Sequence, residues 1–177
     1  MEIVKLSFNT LKDVNKANEP FEIIGKIKPN FFNDEWNYTE EIYDCPYLHL
    51  YPNEDCDYSL YIENSDKTVF LAYGDKECVG QIVLRKDWNK YAFVEDICVS
   101  KSSRGQGIGS ALIQKAIEWA KDKGLDGLAL ETQDNNLLAC RFYSKCGFVI
   151  GAVNTMLYKN FTKPWSDAMA IFWYLKF

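Results

Sequence analysis

Apolar residues recur at two different spacings along this chain, and the change of spacing marks its layout. Val69-Phe70-Leu71-Ala72-Tyr73 and Cys78-Val79-Gly80-Gln81-Ile82-Val83-Leu84 are apolar runs of strand length, and Gly74-Asp75-Lys76-Glu77 between them predicts a tight turn. A second polar turn, Asp87-Trp88-Asn89-Lys90, leads into residues 91–99, so the centre of the chain predicts an antiparallel meander. Beyond residue 109 the period becomes helical. Leu112, Ile113, Ala116, Ile117 and Ala120 fall on one face, with Gly124 placed to cap the end. Residues 125–130 predict a buried strand. Asn135 or Asn136 is placed to cap another helix, in which Leu138 and Phe142 share one face and Ala139 and Tyr143 the next, and Gly147 ends it. Residues 148–151 and 168–174 predict the last strands, separated by a turn around Pro164. In the N-terminal third, residues 21–27 alternate as a strand does, whereas residues 34–44 fit a short helix or loop. The fold class expected is α/β of the α+β kind, a mixed sheet flanked by helices.

Composition narrows this to one domain over residues 1–177, with 47% hydrophobic and 15% aromatic residues to build a core. No stretch has signal-peptide or membrane-spanning form, so a soluble cytoplasmic protein is expected. Six cysteines without a Cys-x-x-Cys pair, and a single histidine, His49, argue against a metal site. The net charge of −5 is uneven: residues 1–60 hold 12 acidic and 5 basic residues, the rest 13 and 15. An acidic N-terminal third disfavours nucleic acid and favours a small cationic partner. Asp34, Glu35, Trp36 and Tyr38 are therefore the expected acceptor contacts, with Glu40, Glu41, Tyr43, Asp55 and Asp57 nearby in sequence. Residues 1–60 are expected to form the acceptor-binding part.

The most specific motif lies between the third strand of the meander and the helix that follows. Arg104-Gly105-Gln106-Gly107-Ile108-Gly109 is a glycine-rich turn opening a helix, which brings free N–H groups and the helix dipole to bear on an anion, with Arg104 able to add a fork of donors. The expected ligand carries phosphates. Ser110-Ala111 after the last glycine excludes a P-loop, and Leu112 or Ile108 stands where a dinucleotide fingerprint needs glycine.

Downstream the chain reads Asn136-Leu137-Leu138-Ala139-Cys140-Arg141-Phe142-Tyr143-Ser144-Lys145-Cys146-Gly147-Phe148. Together these two segments resemble the GNAT-superfamily N-acetyltransferases, and the wider run from residue 94 to 177, including Glu131-Thr132-Gln133-Asp134, is similar to the streptothricin acetyltransferases. The resemblance implies a GNAT fold, a mostly antiparallel twisted sheet, with an acetyl-CoA-binding core in residues 91–148. It implies pyrophosphate contacts from Arg104, Gly105, Gln106, Gly107, Ile108, Gly109 and Ser110. Backbone groups of Ile97, Cys98 and Val99 would meet the pantetheine arm, with Asn136 and Tyr143 near its thiol end.

Acetyl transfer from a thioester to an amine needs a base, because an alkylammonium of pKa ~10.4 must lose a proton before it attacks, and an acid for the departing thiolate. The resemblance makes Tyr143 the acid. Glu95 and Asp96 are neighbours on one strand, so strict alternation lets only one face a given cleft. Glu95 is preferred as base and Asp96 takes a substrate-binding role, although relatives that leave the proton to solvent need no base. A covalent route through Cys98 lacks an activating partner, so direct transfer in a ternary complex is expected. The expected acceptor is a primary amine on a small cation, with streptothricin and hence antibiotic resistance implied by the resemblance. The alternatives are a protein lysine or N-terminal acetyltransferase and a non-catalytic acyl-CoA sensor. A homodimer is compatible with the sequence; a membrane partner is not expected.

Overall fold

The computed structural model describes residues 1–177. In chain order the strands are β1 (Glu2–Lys5), β2 (Phe21–Phe32), β3 (Glu35–His49), β4 (Lys67–Gly74), β5 (Glu77–Lys86), β6 (Tyr91–Val99), β7 (Gly127–Gln133), β8 (Val149–Asn154) and β9 (Ala170–Lys176), and the helices are α1 (Ile108–Asp122) and α2 (Leu137–Lys145). Contacts divide the chain into two compact units, residues 1–21 with 50–128 and residues 22–49 with 129–177. Neither unit coincides with the expected acceptor part (1–60) or cofactor core (91–148). No helix is long and apolar enough to cross a membrane.

The first unit contains the predicted meander, with β1 added at one side in the order β1-β4-β5-β6, every pair antiparallel. Asp75 and Lys76, both at positive φ (50° and 72°), make the two-residue turn whose twist suits a hairpin. Helix α1 packs against β4, β5 and β6, with Gly80 of β5 against Ile108 and Leu112. Its end follows the expected cap, Gly124 standing at φ 66° with its N–H bonded to the Lys121 carbonyl. On the other side of the strands Leu6, Tyr58, Tyr61, Val69, Leu71 and Val83 form a second apolar cluster, in which Tyr58 and Tyr61 come from a 3-10 turn, Tyr58–Tyr61.

One irregularity in this sheet shapes everything that follows. Val83 pairs with Asp96 and Leu84 with Val94, so Glu95 has no partner on β5 and forms a bulge in β6. A bulge breaks the two-residue alternation of side chains.

The second unit opens with a long hairpin of β2 and β3 joined at Asn33 and Asp34, both at positive φ (50° and 61°). Residues 34–44, expected as helix or loop, are therefore mostly strand. Their alternation is broken internally: Trp36 and Tyr38 are the more covered positions, then Glu41 and Tyr43, one residue out of step. At Gly25 the two backbones approach closely, since a Cβ there would run into the Glu41 carbonyl oxygen. The same stretch bridges to Asn136, and the Ile27 N–H donates to the Asp134 carbonyl at 2.9 Å. Asn136 caps α2, its Oδ1 accepting from the Ala139 N–H at 3.2 Å, and Gly147 at φ 91° follows its end. The buried face of α2 carries Leu137, Cys140 and Tyr143, and Leu138 on the face it shares with Phe142 is 43% exposed. Strands β7, β9 and β8 lie in that order, with Ile171 and Trp173 of β9 fully buried.

Candidate active site

The glycine loop of the first unit has the form expected of an anion cradle. Gly105 and Gly107 stand at φ 77° and 84°, in the left-handed region, and space is open around both. Gly107 precedes α1, and the N–H groups of Gly107, Ile108, Gly109 and Ser110 meet no acceptor within the chain. Those donors, with the helix dipole behind them, fit a pyrophosphate. Arg104 is occupied differently from the expectation of a free fork. Its Nε donates to the Val99 carbonyl at 2.9 Å, and its terminal nitrogens donate to the carbonyls of Glu19 and Pro20 at 3.0 Å each. Two of its five N–H bonds thus tie the loop to the segment before β2, and a third ties it to the end of β6. The Glu19 carboxylate completes that tie by accepting from the Lys101 N–H, and Gln106 Nε2 donates to the Ser102 carbonyl at 3.0 Å.

On the opposite side of β5 and β6 the same unit holds a cavity of about 310 Å³, lined by Glu54, Cys56, Tyr58, Tyr61, Val83, Arg85, Phe93, Glu95 and Asp96. Three carboxylates face one guanidinium. Both Glu95 and Asp96 line it, contrary to the expectation that only one could face a cleft, because the bulge at Glu95 turns two successive side chains the same way.

Their surroundings differ. Glu95 Oε2 accepts from the Tyr61 hydroxyl at 2.8 Å, and Oε1 lies 3.2 Å from Arg85 Nε. Arg85 also reaches Asp87 at 2.8 Å and stacks over Phe93, 4.6 Å from the ring centre. Asp96 has no cation. Its Oδ2 accepts from Gln81 Nε2 at 2.6 Å, and its carboxyl is pushed above the ordinary carboxylate range, chiefly by burial, with Glu54's charge adding to the shift and the Gln81 hydrogen bond opposing it. Tyr58 is pushed up to about 12 by burial and the nearby Asp96 charge, while burial and the bond to Glu95 push Tyr61 up as well. Cys98 next along the strand is likewise pushed up by burial, which makes it a poor nucleophile. Ile97, Cys98 and Val99 pair with Ile82, Gln81 and Gly80.

In the second unit Tyr143 is 7% exposed, its ring packed among Phe142, Phe148 and Trp173 with centroids 5.4 to 6.2 Å apart. Asp34 and Glu35 lie exposed at the hairpin turn, Trp36 packs on Phe31 at 5.2 Å, and Tyr38 meets Trp173 edge-on at 6.2 Å. Glu40 is bound by Arg141 and Glu41 by Lys28. None of these residues lines the cavity of the first unit. The acidic segment contributes Glu54 instead, while Asp57 caps the 3-10 turn by accepting from the Ser59 N–H at 3.0 Å. Glu131 is pushed up by burial and accepts from the Tyr158 hydroxyl at 2.7 Å. Sequence reasoning missed Glu54, Tyr58, Tyr61, Arg85 and Gln81; of these only Gln81, a polar residue inside an apolar strand run, carried a local signal. No group of His, Cys, Asp and Glu is arranged to hold a metal ion.

Comparison with known proteins gives these features a context. The model of the acetyltransferase (GNAT) family matches residues 32–148. The chain is 50% identical over 175 residues to Streptothricin acetyltransferase A of Bacillus subtilis (strain 168), covering 99% of each protein. It is 42% identical over 112 residues to a streptothricin acetyltransferase of Escherichia coli, covering 63% of each. Among solved structures, a protein assigned as a streptothricin acetyltransferase from Bacillus anthracis, determined in complex with acetyl coenzyme A, matches with a TM-score of 0.92 at 37% identity over 99% of both chains.

Proposed function

This chain belongs to the GNAT acetyltransferase family, and on that premise we propose that it transfers an acetyl group from acetyl-CoA to a primary amine of streptothricin. The observation that carries the acceptor is the 50% identity to a streptothricin acetyltransferase along the whole length of both proteins. The cavity supports it. A pocket of about 310 Å³ with three carboxylates against one guanidinium suits the ammonium-bearing arm of a larger cation rather than the whole molecule.

The open glycine loop fits acetyl-CoA: the N–H groups of residues 107–110 would hold its phosphates, and Arg104 keeps the loop in place. Bound there, acetyl-CoA supplies the acetyl group as an activated thioester. For the base, the geometry favours Asp96 over Glu95. Both Glu95 oxygens are already engaged, one by the Tyr61 hydroxyl and one by the Arg85 guanidinium, whereas Asp96 has no cation beside it and burial makes it more basic. Asp96 Oδ atoms would take the proton that the acceptor's ammonium must lose. Tyr143 Oη would hold the proton that the departing thiolate needs, a role resting on the family motif, and its aromatic packing fixes the ring.

The test is release of free CoA from acetyl-CoA in the presence of streptothricin, aminoglycosides, polyamines and lysine peptides. Turnover with streptothricin is expected. Turnover confined to peptides would replace this acceptor with a protein, and CoA binding without any acceptor-dependent release would make the chain a sensor.

A further inference from the structure

Behind the cavity wall lies a chain of hydrogen bonds through the buried Gln81, between the half-buried Asn15 and Asp96, that the reaction scheme above does not use. Asn15 stands at φ 67°, and its N–H donates to Gln81 Oε1 at 2.7 Å. Its Oδ1 accepts from Gln81 Nε2 at 2.9 Å. The two contacts together fix the orientation of the Gln81 amide: Oε1 is claimed by a donor, so Nε2 has to point the other way, and its remaining N–H reaches Asp96 Oδ2 at 2.6 Å. Gln81 is 1% exposed, on a strand whose neighbouring positions are apolar. A buried amide is costly unless bonded, and methionine or leucine would fill such a place at no polar cost. Here both polar atoms of the amide are used, and the third bond ends on a carboxylate facing the cavity.

We propose that Asn15 and Gln81 are positioning residues which hold the Asp96 carboxylate in the cavity wall, charged and oriented, to bind the acceptor's ammonium and take its proton. The part concerning the acceptor rests on the function proposed above; the part concerning Asp96 does not. The groups facing Asp96 are Glu54 and Cys56 from the segment before β4, Tyr58 and Tyr61 from the 3-10 turn, Arg85 from β5, and Glu95 and Cys98 from β6. The single cation among them is bound by Glu95 and Asp87. Burial and Glu54 favour the neutral acid, and the Gln81 donor works against both. The Asn15 side chain also lies beside Tyr58, another residue lining the cavity.

The experiment follows the Asp96 carboxyl by 13C NMR in protein labelled at aspartate, its signal assigned by its loss in Asp96→Asn. Gln81→Met, close in shape but without a donor, should move the Asp96 titration to higher pH. The acidic limb of kcat/KM for streptothricin should move with it, lowering kcat/KM by roughly 10- to 100-fold on that limb and recovering as pH rises. Asn15→Gly keeps the left-handed backbone and its N–H but drops Oδ1, so it should give a smaller shift in the same direction, and it serves if Gln81→Met does not fold. An Asp96 titration unmoved in either folded variant overturns the inference. An Asp96 titration that moves as expected in an enzyme that does not acetylate streptothricin leaves the positioning role standing and removes the acceptor.

Discussion

Glu95 and Asp96 follow one another on β6 and yet line the same cavity, because Glu95 is the unpaired residue of a bulge opposite Val83 and Leu84. Proximity does not make them equivalent: one is held by Tyr61 and Arg85, the other by a neutral amide. Asp96→Asn is therefore expected to lower turnover by about 10²–10⁴-fold, and Glu95→Gln by less than about tenfold. CoA-release kinetics under conditions where chemistry limits the rate would decide it. The opposite ranking would return the base role to Glu95.

The raised Asp96 pKa also makes a statement about stability. The folded state holds this proton more tightly than the unfolded chain does, so the contribution is fully present below the ordinary aspartate pKa and is lost as pH rises through the folded value. Asp96→Asn, which keeps an acceptor for Gln81 but cannot ionise, should melt above the wild type at pH 7.5 and approach it near pH 4. Calorimetric melts at the two pH values measure this, and a variant less stable than wild type at pH 7.5 would contradict it.

Gly107→Val tests the anion cradle. With nothing near the added side chain, the cost to the fold is the left-handed backbone alone, about 1–2 kcal/mol. The loss in CoA affinity should far exceed that, since the branched side chain enters the space over the free N–H groups. Titration calorimetry of CoA against the folded variant, compared with its urea denaturation, separates the two effects; unchanged affinity would remove the phosphate site from this loop.

Arg104 makes a different prediction from that of a phosphate ligand. Its three bonds to Val99, Glu19 and Pro20 are to exposed carbonyls, so Arg104→Ala should destabilise the protein by about 1–3 kcal/mol. Arg104→Lys should restore little, because one ammonium cannot span three carbonyls. Urea unfolding of the two variants checks this, and a lysine variant as stable as wild type would show that only the charge matters.

Tyr143→Phe keeps the ring in its packing with Phe142, Phe148 and Trp173 while removing the hydroxyl. Turnover should fall by about 10²–10⁴-fold with little change in melting temperature or CoA affinity. Wild-type turnover in this variant would leave Tyr143 as a core residue only.

The meander, both helices and the loop between β6 and α1 were legible because each depends on short-range signals: continuous apolar runs, turn residues that accept positive φ, and capping side chains. Strand β3 was not, because its alternation slips by one residue between Tyr38 and Glu41, and a slipped period reads as none. The cavity was hidden for another reason. Glu54, Tyr58 and Tyr61 have no spacing that links them to Arg85 or Glu95, and only the pairing of β4, β5 and β6 brings them together. The bulge is equally silent in the sequence, since alternation assumes a regular pleat. Gln81 was visible throughout as a polar residue among Val79, Gly80, Ile82 and Val83, and its meaning depended on Asn15, 66 positions away.

Asn15 holds Gln81, and four residues later Glu19 and Pro20 are held by Lys101 and Arg104, with Ala17 fully buried between them. Four residues reach at most ~14 Å. The chain here is a short tether, turned on itself by the Asn18 N–H bonded to the Asn15 carbonyl at 3.1 Å, and pinned at one end to the wall of the cavity and at the other to the foot of the glycine loop. An insertion or deletion of a single residue between positions 15 and 19 cannot be absorbed by a surface loop; it must displace the amide behind Asp96 or the turn before α1. This stretch of irregular structure should therefore be as intolerant of length change as any strand in the protein.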